Sequence, residues 1–347
     1  MTQRPLRLLQ ILVGEPHGGA ERFFERLAIA LAEYGVDQRI AILRDETRAA
    51  ILREAGLTVE QFDFARWPRG IAENRRLQAY ADAFQPHIAL AFMNRAARRM
   101  PRGPFTKIGR VGGYYKARFY RRCDWVIAIT PDLMRHMEED GWPKERLELI
   151  PLFGELPPAE PIARAEFGTP DDAVLALAMG RHHPSKGYDL LIDAAARLPD
   201  LHVWIAGEGE VRPNLEAQVA RLGLGDRVKF LGWREDRAAL LQACDISVLP
   251  SRHEPLSNVT VETWSSARAY VAAAAEGPSW QVEHGVNGWL CDLDSVDSLT
   301  EGLRAVAGDA ALRERLAKGG HETWRREYSK DAIVRRYLDF FERVRPS

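Results

Sequence analysis

Short apolar runs alternate along the chain with longer stretches whose apolar positions recur every three to four residues. That alternation is the signature of parallel strands joined by crossover helices. The first half predicts strands at Leu6–Val13, Arg39–Leu43, Thr58–Phe62, His87–Phe92, Lys107–Val111 and Trp125–Ile129. Amphipathic helices are predicted over Ala20–Tyr34, Arg48–Ala55, Ile71–Phe84 and Pro131–Glu139. The stretch Ile150–Pro161 carries Pro151, Pro157, Pro158 and Pro161, which exclude a helix or an inner strand and mark an interdomain linker. The pattern then restarts, with strands predicted at Val174–Met179, Leu201–Ala206, Val228–Leu231, Ile246–Leu249, Tyr270–Ala274 and Gly288–Cys291. Helices fill the gaps, and two or three more run from Val296 to the end. Two α/β units around a cleft are therefore expected, with no internal repeat.

Composition agrees with this picture. A chain of 347 residues exceeds what one core usually serves, and 46% hydrophobic with 28% charged residues is ordinary for a soluble globular protein. No apolar run approaches the roughly 20 residues of a membrane span, and no charged region with a cleavage site precedes the first strand. Cys123, Cys244 and Cys291 lie far apart without CxxC spacing and read as reduced, partly buried thiols. A cytoplasmic enzyme is expected. The net charge of −1 conceals an asymmetry: 25 Lys+Arg face 19 Asp+Glu in residues 1–150, and 23 face 30 in the remainder. A basic first half points to an anionic partner.

Three loops carry candidate chemistry. Gly18-Gly19-Ala20-Glu21 follows the first strand and opens a helix, where backbone N–H groups and the helix dipole favour an anion. A tight turn without a ligand is the alternative. Gly180-Arg181-His182-His183-Pro184-Ser185-Lys186-Gly187 again joins a strand to a helix. It sets two cations five residues apart, suited to a diphosphate; a solvated charged loop is the alternative. The adjacent histidines offer no third metal ligand. In Pro250–Glu262, Glu254 precedes a helix predicted to begin near Ser257–Asn258, and Glu262 lies inside it. A loop carboxylate there suits sugar hydroxyls and the helical one a ribose, with the N–H groups of Ser257, Asn258 and Val259 facing the same space. The alternative is a pair of solvated acids near a helix start.

Weaker features are Gly207-Glu208-Gly209 after a strand, the Ala275–Ser279 turn, and Asp292-Leu293-Asp294. The last has metal-binding DxD spacing but reads as a helix cap. Residues 95–122 hold ten cations and no acid, with Phe105, Tyr114, Tyr115, Phe119 and Tyr120 interleaved. An anionic acceptor or membrane face fits that stretch better than nucleic acid does; a solvated face is the alternative.

The motifs GGAER, GRHHPSKG, GEGE, FLGW at 230–233 and LPSRHEPLSNVTVE together resemble family 4 of the glycosyltransferases, retaining enzymes of the GT-B fold, over nearly the whole chain. AFMNRAARRMPRG and VGGYYKARFYRRCDWVIAITPDL are similar to bacterial lipopolysaccharide-type members. The resemblance implies an α/β architecture of two Rossmann-like domains, an acceptor-binding one at 1–155 and a nucleotide-sugar-binding one at 156–327, with 328–347 crossing back as a helix. It implies a nucleotide-diphosphate donor, UDP-sugar favoured, a cell-surface glycan or lipid-linked acceptor, and no metal or other cofactor. Arg181 and Lys186 would stabilise the diphosphate, Glu254 the sugar and Glu262 the ribose. Gly18, Gly19, Gly180 and Gly207 would approach the donor, with the base near Trp233 and Arg234. Asn94, Arg95, Arg110 and Tyr114 would lie on the acceptor side, and a peripheral place at the inner membrane face would follow.

The sequence departs from the family at Phe92-Met93-Asn94, where a histidine is usual, and at Phe153-Gly154, where Asn-Gly is. It departs again at Thr263–Ala269 after the second glutamate and at Trp280. These positions bear on the sugar and the acceptor. A nucleotide-sugar 2-epimerase of the same fold and a scaffold that has lost turnover are the rival readings.

Overall fold

The computed structural model describes residues 5–15, 18–64 and 69–346. The chain divides into two compact units, Met1–Leu152 with Ile333–Ser347, and Phe153–Ala332.

In the first unit the strands are β1 (Arg7–Leu12), β2 (Asp37–Leu43), β3 (Thr58–Phe62), β4 (Ile88–Phe92), β5 (Thr106–Val111), β6 (Trp125–Ala128) and β7 (Leu147–Leu149). Among the described residues they form one parallel sheet in the order β3-β2-β1-β4-β5-β6-β7. Helices cover both faces of such a sheet, so its inner strands read as apolar runs. The exception in β1, Gln10, is buried and donates to Gln38 Oε1 at 2.6 Å, while Gln38 donates to the carbonyl of Ala28 at 2.9 Å.

The helices of this unit are α1 (Gly19–Glu33), α2 (Glu46–Glu54), α3 (Arg69–Phe84), α4 (Met93–Ala97) and α5 (Pro131–Glu139). Helix α1 buries Phe23, Phe24, Leu27, Ala28 and Leu31, the spacing of one apolar helical face. Helix α2 begins two residues before its predicted start because Asp45 caps it, accepting from the N–H of Arg48 at 3.0 Å. Strand β7 and helix α4 escaped prediction. The first is three residues with a glutamate in the middle, and the second starts directly after β4, whose last residue, Phe92, offers no capping side chain.

The second unit carries β8 (Val174–Met179), β9 (Leu201–Ala206), β10 (Val228–Gly232), β11 (Ile246–Leu249), β12 (Ala269–Ala273) and β13 (Trp289–Cys291). They form a parallel sheet in the order β10-β9-β8-β11-β12-β13. Around it lie α6 (Tyr188–Ala196), α7 (Arg212–Arg221), α8 (Arg237–Ala243), α9 (Asn258–Ser265), α10 (Glu276–Gln281), α11 (Val296–Gly308) and α12 (Ala310–Thr323). One core packs α6, α7 and α11 on the strands around Ile192, Val203, Ile246 and Leu303. Another, around Leu177, Trp204 and Leu241, lies on the opposite face. Residues 150–163 are without helix or strand, and Trp324 Nε1 donates to the Gly154 carbonyl at 2.7 Å.

The last helix, α13 (Lys330–Val344), packs on the first unit through Ile333, Val334, Tyr337, Phe340 and Phe341. Phe340 meets Trp125 edge-on at 5.5 Å, and Thr106 Oγ1 donates to the carbonyl of Val344 at 2.5 Å. All three cysteines are buried and unpaired, more deeply than the partial burial expected. Burial pushes the Cys244 and Cys291 thiols up to about 12.

Candidate active site

In an open parallel sheet, ligands bind beyond the carboxyl ends of the strands at the point where strand order reverses. In the second unit that point lies between β8 and β11. The loop leaving β8 carries Gly180 to Gly187, and the loop leaving β11 carries Pro250 to Ser257. Two of the three sequence-selected loops therefore meet at the topological switch.

Their meeting is built from backbone and one arginine. Gly187 sits at φ +65°, and a Cβ there would lie 2.1 Å from the carbonyl oxygen of Pro250, so only glycine admits the contact. The N–H of Arg252 donates to the Ser185 carbonyl at 2.8 Å. The Arg252 guanidinium forks onto Asp189 of α6 at 2.8 and 2.6 Å and reaches the Pro184 carbonyl at 2.9 Å. It also donates to Asp294 at 2.5 Å, and its side-chain bond to Asp189, ahead of that to Asp294, raises its pKa further. Sequence reading passed over Arg252, because nothing local shows which acids a loop arginine will meet.

The clamp holds Lys186 in an ion pair with the buried Glu254. Ser251 Oγ donates to the same carboxylate oxygen at 3.3 Å. The Glu254 backbone is anchored in turn: its N–H donates to Glu276 Oε2 at 3.0 Å, and its carbonyl accepts from Gly277 at 2.8 Å. Burial alone would raise the Glu276 carboxyl, but the Glu254 N–H and His253 more than offset it, and its pKa falls. Glu276 thus orients the Glu254 loop from the first residue of α10, within the turn where only extra N–H donors were expected.

Arg181 is exposed and has no ion-pair partner among the described residues. His182 turns inward, fully buried between Tyr188 and Phe230 with neither ring nitrogen bonded, and burial lowers its pKa. His183 turns outward, its Nδ1 accepting from the N–H of Ser185 at 3.2 Å. Ser257 caps α9 by accepting from Thr260 N at 3.3 Å, which leaves the N–H groups of Asn258 and Val259 as first-turn donors without a partner inside the helix. Glu262 is buried in α9 and takes both oxygens to one nitrogen of Arg237, at 2.6 and 2.8 Å. That cation was not anticipated.

Gly207 packs against Gly180, where an added Cβ would lie 1.9 Å from the Gly180 oxygen. Trp233 is 63% exposed, and Arg234 pairs with Asp236 at 2.5 Å. Both follow β10, two strands from the switch point.

The DLD segment does not cap α11. Ser295 does, accepting from Ser298 N, while Asp294, at φ +56°, is spent on Arg252. The hydroxyl one residue on reaches the helix amide that the aspartate misses. Among the described residues no three His, Cys, Asp or Glu side chains are grouped to hold a metal. Of the departures after Glu262, Thr263, Trp264 and Ala269 are absorbed into the core: Trp264 donates to the Asn287 carbonyl at 2.8 Å and packs on Tyr270 and Tyr328. Trp280 lies against Tyr328 as well.

In the first unit the sheet order reverses between β1 and β4. Gly18 and Gly19 follow β1, and the buried Glu21 carboxylate is tucked against Gly18, accepting from Glu15 N at 3.1 Å. Beyond β4, Met93 is held at φ +64°, a strained conformation for a long side chain. Asn94 follows half-buried, and Arg95 pairs with Glu15 at 2.6 Å. Arg110 is a core residue, contrary to the surface role expected of it: it donates to the Tyr337 hydroxyl at 3.1 Å and lies over the rings of Phe23 and Phe92. Tyr114 lies apart, bonded to Asp132 and edge-on to His136.

Comparison with known proteins identifies the family and the fold. Residues 17–153 match the model for Glycosyltransferase Family 4, and residues 160–323 that for glycosyl transferases group 1. The lipopolysaccharide core biosynthesis glycosyltransferase LpsD of Rhizobium meliloti is 38% identical over 333 residues, 94% of this chain and 95% of that protein. LpsE of the same organism is 36% identical over 330 residues, 92% and 95% of the two chains. Among solved structures, Anabaena HepE in complex with UDP and glucose aligns with TM-score 0.79 at 21% identity, covering 98% of this chain and 100% of that one. The lipopolysaccharide outer core galactosyltransferase WaaB, in its apo form, aligns at 0.76 and 16% identity over 98% and 100%. Both share the fold. The chain belongs to glycosyltransferase family 4, as a GT-B glycosyltransferase related to enzymes of lipopolysaccharide core biosynthesis.

Proposed function

We propose that this glycosyltransferase moves a hexose-type sugar, with retention, from a UDP-sugar to a cell-surface glycan or lipid-linked acceptor, without a metal. The observation that carries this reading is the Lys186–Glu254 pair clamped at the switch point of the second sheet, with Arg181 in the same loop as Lys186 and α9 following the Glu254 loop. Lys186 is paired with Glu254. A diphosphate entering this space draws Lys186 onto its oxygens and releases Glu254 to accept from sugar hydroxyls. As the C1–O bond breaks, charge builds on the diphosphate and meets Arg181, Lys186 and the amides of Asn258 and Val259, all in place beforehand. The acceptor oxygen attacks C1 from the face the diphosphate leaves, and its proton passes to a leaving-group oxygen. Glu262, steadied by Arg237, takes the ribose hydroxyls, and the exposed Trp233 gives the base a surface. UDP is favoured because HepE, of like fold, was solved with UDP and glucose.

The test is a thermal-shift and turnover screen over nucleotides and nucleotide sugars, with truncated lipopolysaccharide cores as acceptors and the product anomer read by NMR. UDP should stabilise the protein, UDP release should require an acceptor, and the anomeric configuration should persist. An isomerised nucleotide sugar formed without acceptor would establish the epimerase instead, and an inverted anomer would end the retaining mechanism.

A further inference from the structure

The basic segment at 95–122 divides in two once side-chain partners are known. Arg95 pairs with Glu15, Lys107 with Asp124 and Lys116 with Asp140, Arg99 bonds to Asn74, and Arg110 is buried. Arg98, Arg102, Arg118, Arg121 and Arg122 have no acid partner among the described residues, and all of these but Arg102 line, together with Phe119, a cavity of about 470 Å³. Its place is significant. Arg98 ends α4 directly after β4, and the other three leave the segment after β5, so the cavity lies beyond the carboxyl ends of neighbouring strands in the first sheet.

The lining is held in position. The guanidinium groups of Arg98 and Arg118 sit 5.3 and 5.2 Å from the Phe119 ring centre, held by cation–π attraction. The turn that presents them is anchored by Asp140, which accepts from Ala117 N at 2.5 Å, and by Tyr120, fully buried beneath it. Four guanidinium groups repel one another without an anion between them, and planar forks match the oxygens of a phosphate or carboxylate. A lipid surface calls for a face with an aromatic or aliphatic side chain free to insert. Here the cavity is concave, and its one aromatic ring is already occupied by cations.

We propose that this cavity binds a phosphate or carboxylate group borne on the acceptor saccharide, fixing the acceptor by its charge away from the reacting hydroxyl. The identity of the ligand as acceptor rests on the transferase reading above; the presence of the anion site does not.

Calorimetric titration with mannose 6-phosphate and with mannose, each with and without UDP, tests it. The phosphorylated sugar should bind and mannose should not. Arg118→Gln with Arg121→Gln should weaken binding roughly tenfold or more, as loss of charge-assisted forks does. Arg118→Lys with Arg121→Lys should retain part of the affinity, and Arg75→Gln, exposed on α3, should change nothing. UDP-induced stabilisation should be the same in every variant; its absence from all of them would count against the donor reading and leave the anion site intact. No binding of mannose 6-phosphate, or equal binding by wild type and the Gln pair, overturns the proposal. So does a Gln pair that loses phosphatidylglycerol vesicles yet keeps the sugar phosphate, which would make the cavity a headgroup site.

Discussion

Lys186 is paired with Glu254 while Arg181 has no ion-pair partner among the described residues, and this sets what their removal should do. Each change to Ala is expected to lower turnover by roughly 10²-fold, as loss of one transition-state donor commonly does. Arg181→Ala should leave thermal stability unchanged, since its side chain is exposed. Lys186→Ala should also destabilise the protein, because it strands the buried Glu254 carboxylate. Steady-state rates with melting curves check both, and wild-type turnover in either variant would remove the assigned role. A second residue-scale expectation concerns pH. The buried His182 ring nitrogens have no hydrogen-bond partner among the described residues, and desolvation lowers its folded pKa below the unfolded value. The unfolded chain therefore binds the proton more readily, so stability is lost as pH falls through about 6.5, the ordinary histidine value. Unfolding free energy in urea between pH 8 and pH 5 should fall less in His182→Phe than in wild type; parallel curves would show that His182 carries none of the dependence.

At the scale of elements, the proposed donor site is two strand–loop–helix units seated on each other. The β8–α6 loop touches the β11–α9 loop at Gly187, and Arg252 ties both to α6 and to the turn before α11. Gly187→Ala must both leave the left-handed region and push away a backbone carbonyl. It should cost roughly 2 kcal/mol of stability and abolish UDP-induced stabilisation. Gly320→Ala is the comparison: its Cβ would lie 2.3 Å from the Trp264 ring, so it should destabilise similarly while UDP stabilisation persists. Circular dichroism melts with and without UDP separate the two, and equal loss of UDP response in both would mean that the loop contact has no special part in the site. Helix α9 was readable from Ser257 and the residues after it. The rest of its environment was not, since Arg237 approaches from α8 and Trp264 packs under α12.

For the whole molecule, the charge asymmetry separates two chemistries: a unit with an unpaired arginine cavity, and a unit whose cations mostly pair with acids around the donor loops. No described helix is long and apolar enough to cross a membrane. Transfer should persist in EDTA if, as proposed, Arg181 and Lys186 meet the diphosphate, since Asp294 of the DLD segment is held by Arg252. Activity lost in chelator and restored by Mg²⁺ or Mn²⁺ would overturn that reading.

The order of strands and helices, the restart after the Pro-rich stretch, and the two charged loops that meet at the switch point were legible in the sequence itself, because period, turn residues and fixed cations are local properties. Which partner each side chain meets was decided only in the tertiary structure. Glu254 lies 68 positions from Lys186, and their pairing depends on parallel strands adjacent at the switch point and on a glycine that lets two loops touch. Arg110 and Arg118 read alike as members of one basic run, yet one is drawn beneath α13 and the other faces a cavity. Asp294 read as a cap and is instead half of an ion pair with Arg252. Burial and long-range pairing are relations between segments distant in the chain, so composition could announce an anionic partner but not select the four arginines that would hold it.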